Sequence, residues 1–271
     1  MEKEIKTVQD YLMAILPYQQ RVLAQIHRYG ADRPALLFRG DKQGVPLVAG
    51  FGRLVEAHKI PYKNILPFER NSLRMIQSYV NANGNYSDWD LITLAQHYGV
   101  ATRFLDWTSN SLVALWFALN EKPTVDVSQK PKKTPVVWLL ETNERDFDIS
   151  EDERSPIPQK KGSETVIYTP RLIDSRISLQ DNYLMRQVFE HIDAADYNVM
   201  KIRPVDKNPV FKCRCHSVTI SNNDDYKEKM LDELEDCGYT KETVFPVSIW
   251  KTVKERFEEL ITDYTIQKEQ N

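Results

Sequence analysis

The sequence predicts an α+β fold, a single domain in which helices flank a mixed or split β-sheet. Strand and helix patterns follow one another irregularly, whereas a doubly wound parallel sheet needs regular alternation. The 271 residues fit one large domain, and a composition of 41% hydrophobic and 28% charged residues is typical of a globular protein. We divide the chain into an N-terminal helical segment, residues 1–30, and a main domain, residues 31–265.

The first predicted elements are a helical segment and a strand that ends in a turn. Apolar residues recur at helical spacing over residues 7–29. Pro17 lies inside this segment and is expected to divide it into two short helices. Residues 35–38 are predicted to form a strand that enters a turn at Arg39 and Gly40.

Three helices are predicted between residues 59 and 119. Residues 59–81 carry an apolar stripe with Glu69 at its edge. Asp88 is a suitable N-cap for a helix over residues 89–98. Residues 109–119 are apolar and are predicted to form the third helix.

The second half of the chain is predicted to contain short strands and two late helices. The elements are, in order, a buried strand over residues 135–140, a long surface loop over 141–165, a short strand near 166–168, further short strands up to residue 220, a helix over 223–237 that ends at Gly238, and a final helix over 248–265.

The charge and hydropathy of the chain argue against a membrane partner. The formal net charge is -3, which gives no overall attraction to nucleic acid or to an anionic membrane. No run approaches the roughly 20 apolar residues that a membrane-spanning helix needs, and the N-terminus lacks the apolar core of a signal peptide. We therefore expect a cytoplasmic protein without a membrane partner.

The three cysteines do not predict a metal site or a disulfide framework. A structural zinc site usually has four ligands with paired spacings, and Cys213, Cys215 and His216 do not complete one. Residues 210–220 alternate like a strand, so we expect Cys213 and Cys215 to be buried on one face. No metal is predicted.

Arg39 and His97 are candidates for ligand binding. An arginine at the end of a strand, beside glycine, can offer a planar fork to phosphate or carboxylate; the alternative is a salt bridge with Asp41 or Glu69. His97 lies near a helix C-terminus and can donate to an anion or act as an acid or base, although a core histidine is the commoner case. Gln96 is expected to point to another side of the helix.

Residues 103–109 supply a second group of candidates. Arg103 and Asp106 are three positions apart and are expected to form a buried ion pair that supports the site. Thr108 or Ser109 is expected to cap the following helix, whose first N–H groups would form an anion site.

These motifs together resemble the signature of the FRG domain family. The segments are LFRG at residues 37–40, LAQHYGVATRFLDWT at 94–108 and the apolar helix SLVALWFA at 111–118. Arg176 and Gln180 match the family's later Arg-x-x-x-Gln pattern, with Asn182 and Leu184 in place of its glycine and aromatic residue. Residues 229–234 and 238–246 are similar to the family's closing helix and Phe-Pro turn, so the resemblance covers about residues 36–260.

The motif order is also similar to that of ADP-ribosyltransferases that use NAD, and it implies a related fold and site. The resemblance implies that Arg39 and Gly40 contact the NAD phosphates, and that Trp107, Thr108 and Ser109 support the nicotinamide ribose. A late carboxylate would stabilise the ribose as nicotinamide leaves.

This chain has Gln180 where a glutamate would be most useful. Asp181, Glu190 or Glu69 is the expected substitute. On an ideal strand Gln180 and Asn182 would share a face and Asp181 would point away, so we expect either a bulge that turns Asp181 inward or Glu69 reaching across. The expected catalytic residues are therefore Gln180, Asp181 and His97.

The resemblance implies transfer of ADP-ribose from NAD to a protein or nucleic acid, with NAD as a substrate. A bacterial or phage toxin or defence role would follow, with an antitoxin or regulatory protein as a further partner. One alternative is a noncatalytic FRG module that binds a nucleotide or a protein partner. Another is a nuclease or hydrolase that uses His97 and Asp106.

Overall fold

The structure is a computed structural model that describes residues 4–29, 33–41, 46–80, 86–97, 99–120, 134–147, 156–157, 164–173, 175–190 and 200–244. The helices are α1 (Val8–Tyr29), α2 (Gly50–Ala57), α3 (Tyr62–Val80), α4 (Asp88–His97), α5 (Ser111–Leu119), α6 (Ser175–Leu179), α7 (Asp224–Asp236) and α8 (Lys241–Val244). The strands are β1 (Leu36–Asp41), β2 (Phe104–Thr108), β3 (Val136–Glu141), β4 (Val166–Tyr168), β5 (Asn182–Arg186), β6 (Phe189–Glu190), β7 (Lys201–Ile202) and β8 (Cys215–Thr219).

The strands form two sheets, which confirms the α+β prediction. The larger sheet has six strands in the order β4-β5-β2-β1-β3-β8, and β6 pairs with β7 separately. Every neighbouring pair of named strands is antiparallel. β1 pairs with β3 along its whole length but meets β2 only where Phe38 faces Thr108. β1 and β2 are therefore not paired beyond Phe38, and they separate beside Arg39.

Helices cover the sheet through separate apolar clusters. Residues of α1, α5 and α7 pack with Phe38 and Leu139 of the sheet. A second cluster joins α2, α3 and α4 to Phe104, Tyr168 and Leu184. Since neighbouring strand residues point to opposite faces, Leu37 and Leu140 belong to a third cluster with Trp107. Phe38 pairs with Thr108, which shares a face of β2 with Phe104, so the first two clusters lie on one face of the sheet and the third lies on the other.

Gly40 lies inside β1, where it pairs with Val137, and not in the predicted turn. A Cβ at this position would lie 2.0 Å from the carbonyl oxygen of Ala114 and 2.6 Å from the amide nitrogen of Ala118. Any side chain would collide with the α5 backbone, so glycine is needed because the helix packs directly on the strand.

Two predicted helix boundaries differ from the structure. α1 is continuous through Pro17, since the helix can bend around one missing hydrogen bond and its tertiary packing is kept. Ser87, not Asp88, caps α4: its hydroxyl accepts from the amide of Asp90 at 3.2 Å, and the Asp90 carboxylate accepts from the Ser87 amide at 2.8 Å. α2 was not predicted from the sequence.

Several C-terminal predictions are confirmed and one is wrong. β3, β4 and α7 lie where expected, and Gly238 after α7 has a φ of +86°. The cysteine prediction is wrong because β8 begins only at Cys215, which leaves Cys213 exposed in the preceding turn. Burial, with a contribution from Asp206, raises the pKa of the Cys215 thiol to about 12. The predicted helix over residues 248–265 lies outside the described residues.

Within the described ranges, none of the helices combines the length and apolar character that crossing a bilayer requires.

Candidate functional site

A pocket of about 250 Å³ lies where β1 and β2 diverge, between α4 and α5. Residues from three sequence motifs, at 37–40, 94–108 and 176–182, line this pocket. Its apolar wall consists of Phe38, Gly40, Gly99, Trp107, Val113, Ala114 and Phe117. Its polar wall consists of Arg39, Gln96, His97, Asp106, Thr108, Arg176, Gln180 and Asn182. Two arginines and one carboxylate give these described walls a net positive charge.

Arg39 is held at the pocket wall by β2. Its Nη1 donates to the carbonyl oxygen of Asp106 at 2.7 Å and lies 4.0 Å from Asp106 Oδ2. The acidic neighbour of Arg39 is therefore Asp106, and not Asp41 or Glu69. Arg39 Nε is buried and has no hydrogen-bond partner among the described residues. A buried donor without a partner is unusual in a folded protein, which marks the Arg39 side chain as a candidate for ligand binding.

Gln96 and His97 both line the pocket, contrary to the prediction that they point to different sides. The pocket lies at the end of α4, where Gln96, His97 and Gly99 all contribute to its wall. Gln96 Nε2 donates to Asp106 Oδ2 at 2.8 Å and to the Phe104 carbonyl oxygen at 3.3 Å. Its Oε1 accepts from the Thr102 hydroxyl. Both ends of the Gln96 amide are thereby fixed.

His97 is joined to the late motif of the sequence. Asn182 Nδ2 lies 3.0 Å from His97 Nε2, and Arg176 Nη1 donates to the His97 carbonyl oxygen at 2.5 Å. Asn182 Nδ2 and His97 Nε2 are within hydrogen-bond distance, and the ring tautomer decides which of them donates. Nε2 would have to release Asn182 before acting as a base.

The turn after α6 separates Gln180 from Asp181. Both residues precede β5, and Asp181 has a φ of +44°, so the chain reverses here instead of continuing as a strand. Gln180 and Asn182 line the pocket, whereas Asp181 is exposed and does not. The expected bulge that turns Asp181 inward is therefore not found. Gln180 Nε2 donates to the Val244 carbonyl oxygen at 2.8 Å.

The predicted anion site at the start of α5 is occupied by a cap. Asn110, not Thr108 or Ser109, is the N-cap, and its Oδ1 accepts from the amides of Leu112 at 3.0 Å and Val113 at 3.3 Å. Thr108 lines the pocket, and its hydroxyl accepts from the Asn110 amide at 2.9 Å. Ser109 is exposed outside the pocket.

The predicted ion pair between Arg103 and Asp106 is wrong, because Arg103 pairs with Glu69 of α3. Arg103 Nε donates to Glu69 Oε1 at 2.6 Å, and Nη2 contacts Oε2, so the pair is bidentate. Both side chains are buried. Glu69 therefore does not reach across to the pocket. Glu190 is also engaged elsewhere, since its carboxylate accepts from Arg203 Nε at 2.9 Å.

Asp106, Arg176 and Asn182 line the pocket but had no part in the predicted NAD site, and Asp106 was a candidate only in the nuclease or hydrolase alternative. A signal for Asp106 was present: on a strand it shares a face with Thr108, two positions later. Arg176 and Asn182 become pocket residues only through α6 and the turn that follows it. Among the described residues, no cluster of His, Cys, Asp and Glu is arranged to hold a metal ion.

The comparisons with known proteins give one match. The family model of the FRG domain matches residues 34–126. This range contains β1, α4, β2 and α5, which form most of the pocket, but not α6 or β5. Neither the search of curated proteins nor the search of solved structures found a match.

Proposed function

Since the chain belongs to the FRG domain family through residues 34–126, we propose that it transfers ADP-ribose from NAD to a protein or nucleic acid. One observation carries this proposal: three motifs, at residues 37–40, 94–108 and 176–182, line a single pocket. β1, β2 and β5, which carry or adjoin these motifs, are neighbours in the sheet. The motifs are far apart in sequence, so a shared ligand is a direct reason for their meeting.

The pocket offers the groups that one end of NAD requires. The guanidinium of Arg39 lines the pocket and has several N–H donors, so it can bind a diphosphate oxygen. Phe38 and Phe117 provide an apolar wall for the nicotinamide ring, and Thr108 and Asn182 provide polar groups for the ribose hydroxyls. The volume of about 250 Å³ is below the roughly 300–1,000 Å³ of pockets that enclose whole drug-sized ligands. We therefore place the nicotinamide riboside end inside and the adenosine outside.

His97 and Gln180 act in this proposal as positioning residues. His97 holds Asn182 through Nε2, and Gln180 holds α8 through the Val244 carbonyl oxygen. Ser109 and Asp181 are outside the pocket and receive no part in binding NAD. Gly40 contributes by letting α5 approach β1.

A noncatalytic FRG module that binds a nucleotide or a protein is the second candidate. It is favoured by Gln180, which stands where the resemblance expects a glutamate. Its side chain is neutral, and the amide nitrogen is engaged by Val244. A module that binds a nucleotide predicts the same binding as the transferase and differs from it only in turnover.

NAD that carries a radioactive label in its adenylate phosphate distinguishes the candidates. We expect the purified protein to transfer label to macromolecules of a bacterial extract, and Arg39→Ala to abolish the transfer. Protease and nuclease digestion then identify the acceptor class. NAD binding by calorimetry without transfer would support the binding module, and absence of both would refute the transferase and a module that binds NAD.

The proposed transfer also suggests a toxin or phage-defence role, with an antitoxin or regulatory protein as partner. Expression in a bacterial host should then slow growth, and Arg39→Ala at equal protein level should restore it. Equal growth with both proteins would contradict the toxin role and leave the enzymatic test unaffected.

A further inference from the structure

We propose that Asp106 supplies the negative charge that stabilises the ribose while nicotinamide departs. This inference rests on the proposed transferase function and adds to it a residue and its role. Among the described residues that line the pocket, Asp106 carries the only carboxylate.

The two oxygens of Asp106 are in different situations. Oδ2 accepts from Gln96 Nε2 at 2.8 Å, while no hydrogen bond to Oδ1 is recorded in the described part of the chain. The Asp106 side chain is 43% exposed, although Trp107 and Thr108, the next residues of β2, are buried. One oxygen is thus fixed by the protein and the other is accessible from the pocket.

The fixed oxygen is held by a short chain of contacts. Gln96 cannot rotate freely, because its Oε1 accepts from Thr102 while its Nε2 donates to Asp106. Arg39 Nη1 is 4.0 Å from Asp106 Oδ2, which is too long for a hydrogen bond. Arg39 therefore lies near the carboxylate without occupying it, and its hydrogen bond is to the Asp106 carbonyl oxygen.

The other acidic candidates are excluded by their contacts. Glu69 is buried in its bidentate pair with Arg103, and Glu190 is paired with Arg203. Asp181 is exposed on the turn before β5 and lies outside the pocket wall. Of the four carboxylates considered, Asp106 alone can face a ribose bound in the pocket.

The chemistry requires a carboxylate at this place. In the transfer, the bond between ribose C1′ and the pyridinium nitrogen breaks, and its electron pair stays on nitrogen, which leaves as neutral nicotinamide. The acceptor's lone pair forms the new bond to C1′, and the acceptor's proton passes to water. Positive charge develops at C1′ and the ring oxygen between these events, as in glycoside cleavage. A fixed carboxylate nearby stabilises that charge without changing covalently.

Asp106→Asn tests the inference, because it removes the charge and keeps the shape and the acceptor for Gln96. We expect NAD binding by calorimetry to change less than threefold, whereas nicotinamide release and ADP-ribose transfer fall by about 10²–10³-fold. Asp232→Asn makes the same chemical change on the exposed face of α7 and should leave both activities unchanged. A melting curve for each variant verifies folding.

Asp106→Glu is the second variant and keeps the charge on a longer side chain. We expect it to retain more activity than Asp106→Asn. Transfer at the wild-type rate by Asp106→Asn, or less transfer by Asp106→Glu than by Asp106→Asn, would overturn the role of Asp106 and leave the transferase proposal standing. Absence of transfer and nicotinamide release in the wild-type protein would instead overturn the proposed function, and this inference with it.

Discussion

Arg103 and Asp106 are three positions apart in sequence but have different partners and different roles. Arg103 is buried and forms a bidentate pair with Glu69. Asp106 is partly exposed at the pocket and is held by Gln96. The strand between them places their side chains in separate environments. Arg103 supports the packing of α3 on β2, and Asp106 is available for the proposed transfer.

Removing the partner of Arg103 should destabilise the fold. Glu69→Ala leaves a buried guanidinium without its carboxylate, and we expect the free energy of unfolding to fall by about 3–5 kcal/mol. Urea unfolding at pH 7 measures the loss. Glu56→Ala is the control, since the pair of Glu56 with Lys201 is exposed and surface pairs contribute only about 0–1 kcal/mol. Equal losses in the two variants would contradict the structural role of the buried pair.

Arg39→Lys should weaken NAD binding nearly as much as Arg39→Ala. Lysine keeps the charge but lacks the planar fork, which can donate to the Asp106 carbonyl oxygen and to an anion at the same time. A charge-assisted hydrogen bond contributes about 1.5–3 kcal/mol, so we expect a loss of affinity of roughly 10- to 100-fold. Calorimetry with NAD measures it. Wild-type affinity in Arg39→Ala would remove Arg39 from the site.

The pocket depends on the close contact between β1 and α5. β1 carries Arg39 and Gly40, and α5 carries Val113, Ala114 and Phe117 of the apolar wall. Helix and strand approach so closely only because Gly40 has no side chain. The glycine of the family motif is therefore explained by packing rather than by a turn.

Gly40→Ala should separate α5 from β1. The added Cβ would overlap backbone atoms of Ala114 and Ala118, which cannot rotate away. Overpacking costs typically about 1–3 kcal/mol, and we expect a loss at least at the upper end. Gly50→Ala is the matched control, because its Cβ would meet its nearest neighbour at 3.7 Å in a helix. Thermal or urea unfolding compares the two. A neutral Gly40→Ala would contradict the close packing.

Helices and strands with strong periodicity could be predicted from the sequence, and short elements could not. α7 ends at Gly238 as expected, because a cap residue and an apolar stripe agree there. α2 has only eight residues and was missed. α6 was not predicted either, because its five residues show no distinct helical spacing. The turn at Asp181 was therefore not predicted. The position of its carboxylate outside the pocket was not predicted either.

Asp90 is a buried carboxylate that connects α4 to the segment after β4. Burial alone would raise the pKa of Asp90, but hydrogen bonds from Arg171 and Ser87 outweigh it and hold the pKa below its usual value. A lowered pKa in the folded state contributes stability above the unfolded pKa of about 3.9. This contribution is lost as the pH falls through the folded pKa.

Asp90→Asn should therefore be less stable than wild type at pH 7, and the difference should shrink as the pH falls below about 4. Urea unfolding at pH 7, 5, 4 and 3 measures the trend. Asp232→Asn, at an exposed position of α7, should match wild type throughout. A stability difference that stays constant or grows toward pH 3 would contradict the lowered pKa.

At the scale of the whole molecule, the sequence motifs identified where the site is but not how its side chains pair. Arg39, Thr108 and Gln180 were predicted and lie around one pocket. The partners of Arg103 and Asp106 could not be predicted, because Glu69 and Gln96 reach them only through the packing of α3 and α4 on β2. Local sequence spacing favoured the wrong pair, since the two residues are close along the chain.

A crystal structure with an NAD analogue whose glycosidic bond resists cleavage tests the central claim most directly. We expect the diphosphate at Arg39, the nicotinamide ring against Phe38 and Phe117, and ribose C1′ beside Oδ1 of Asp106. The same soak of Arg39→Ala crystals should show no analogue in the pocket. An empty wild-type pocket at saturating analogue, or an analogue bound with its ribose remote from Asp106, would contradict the account.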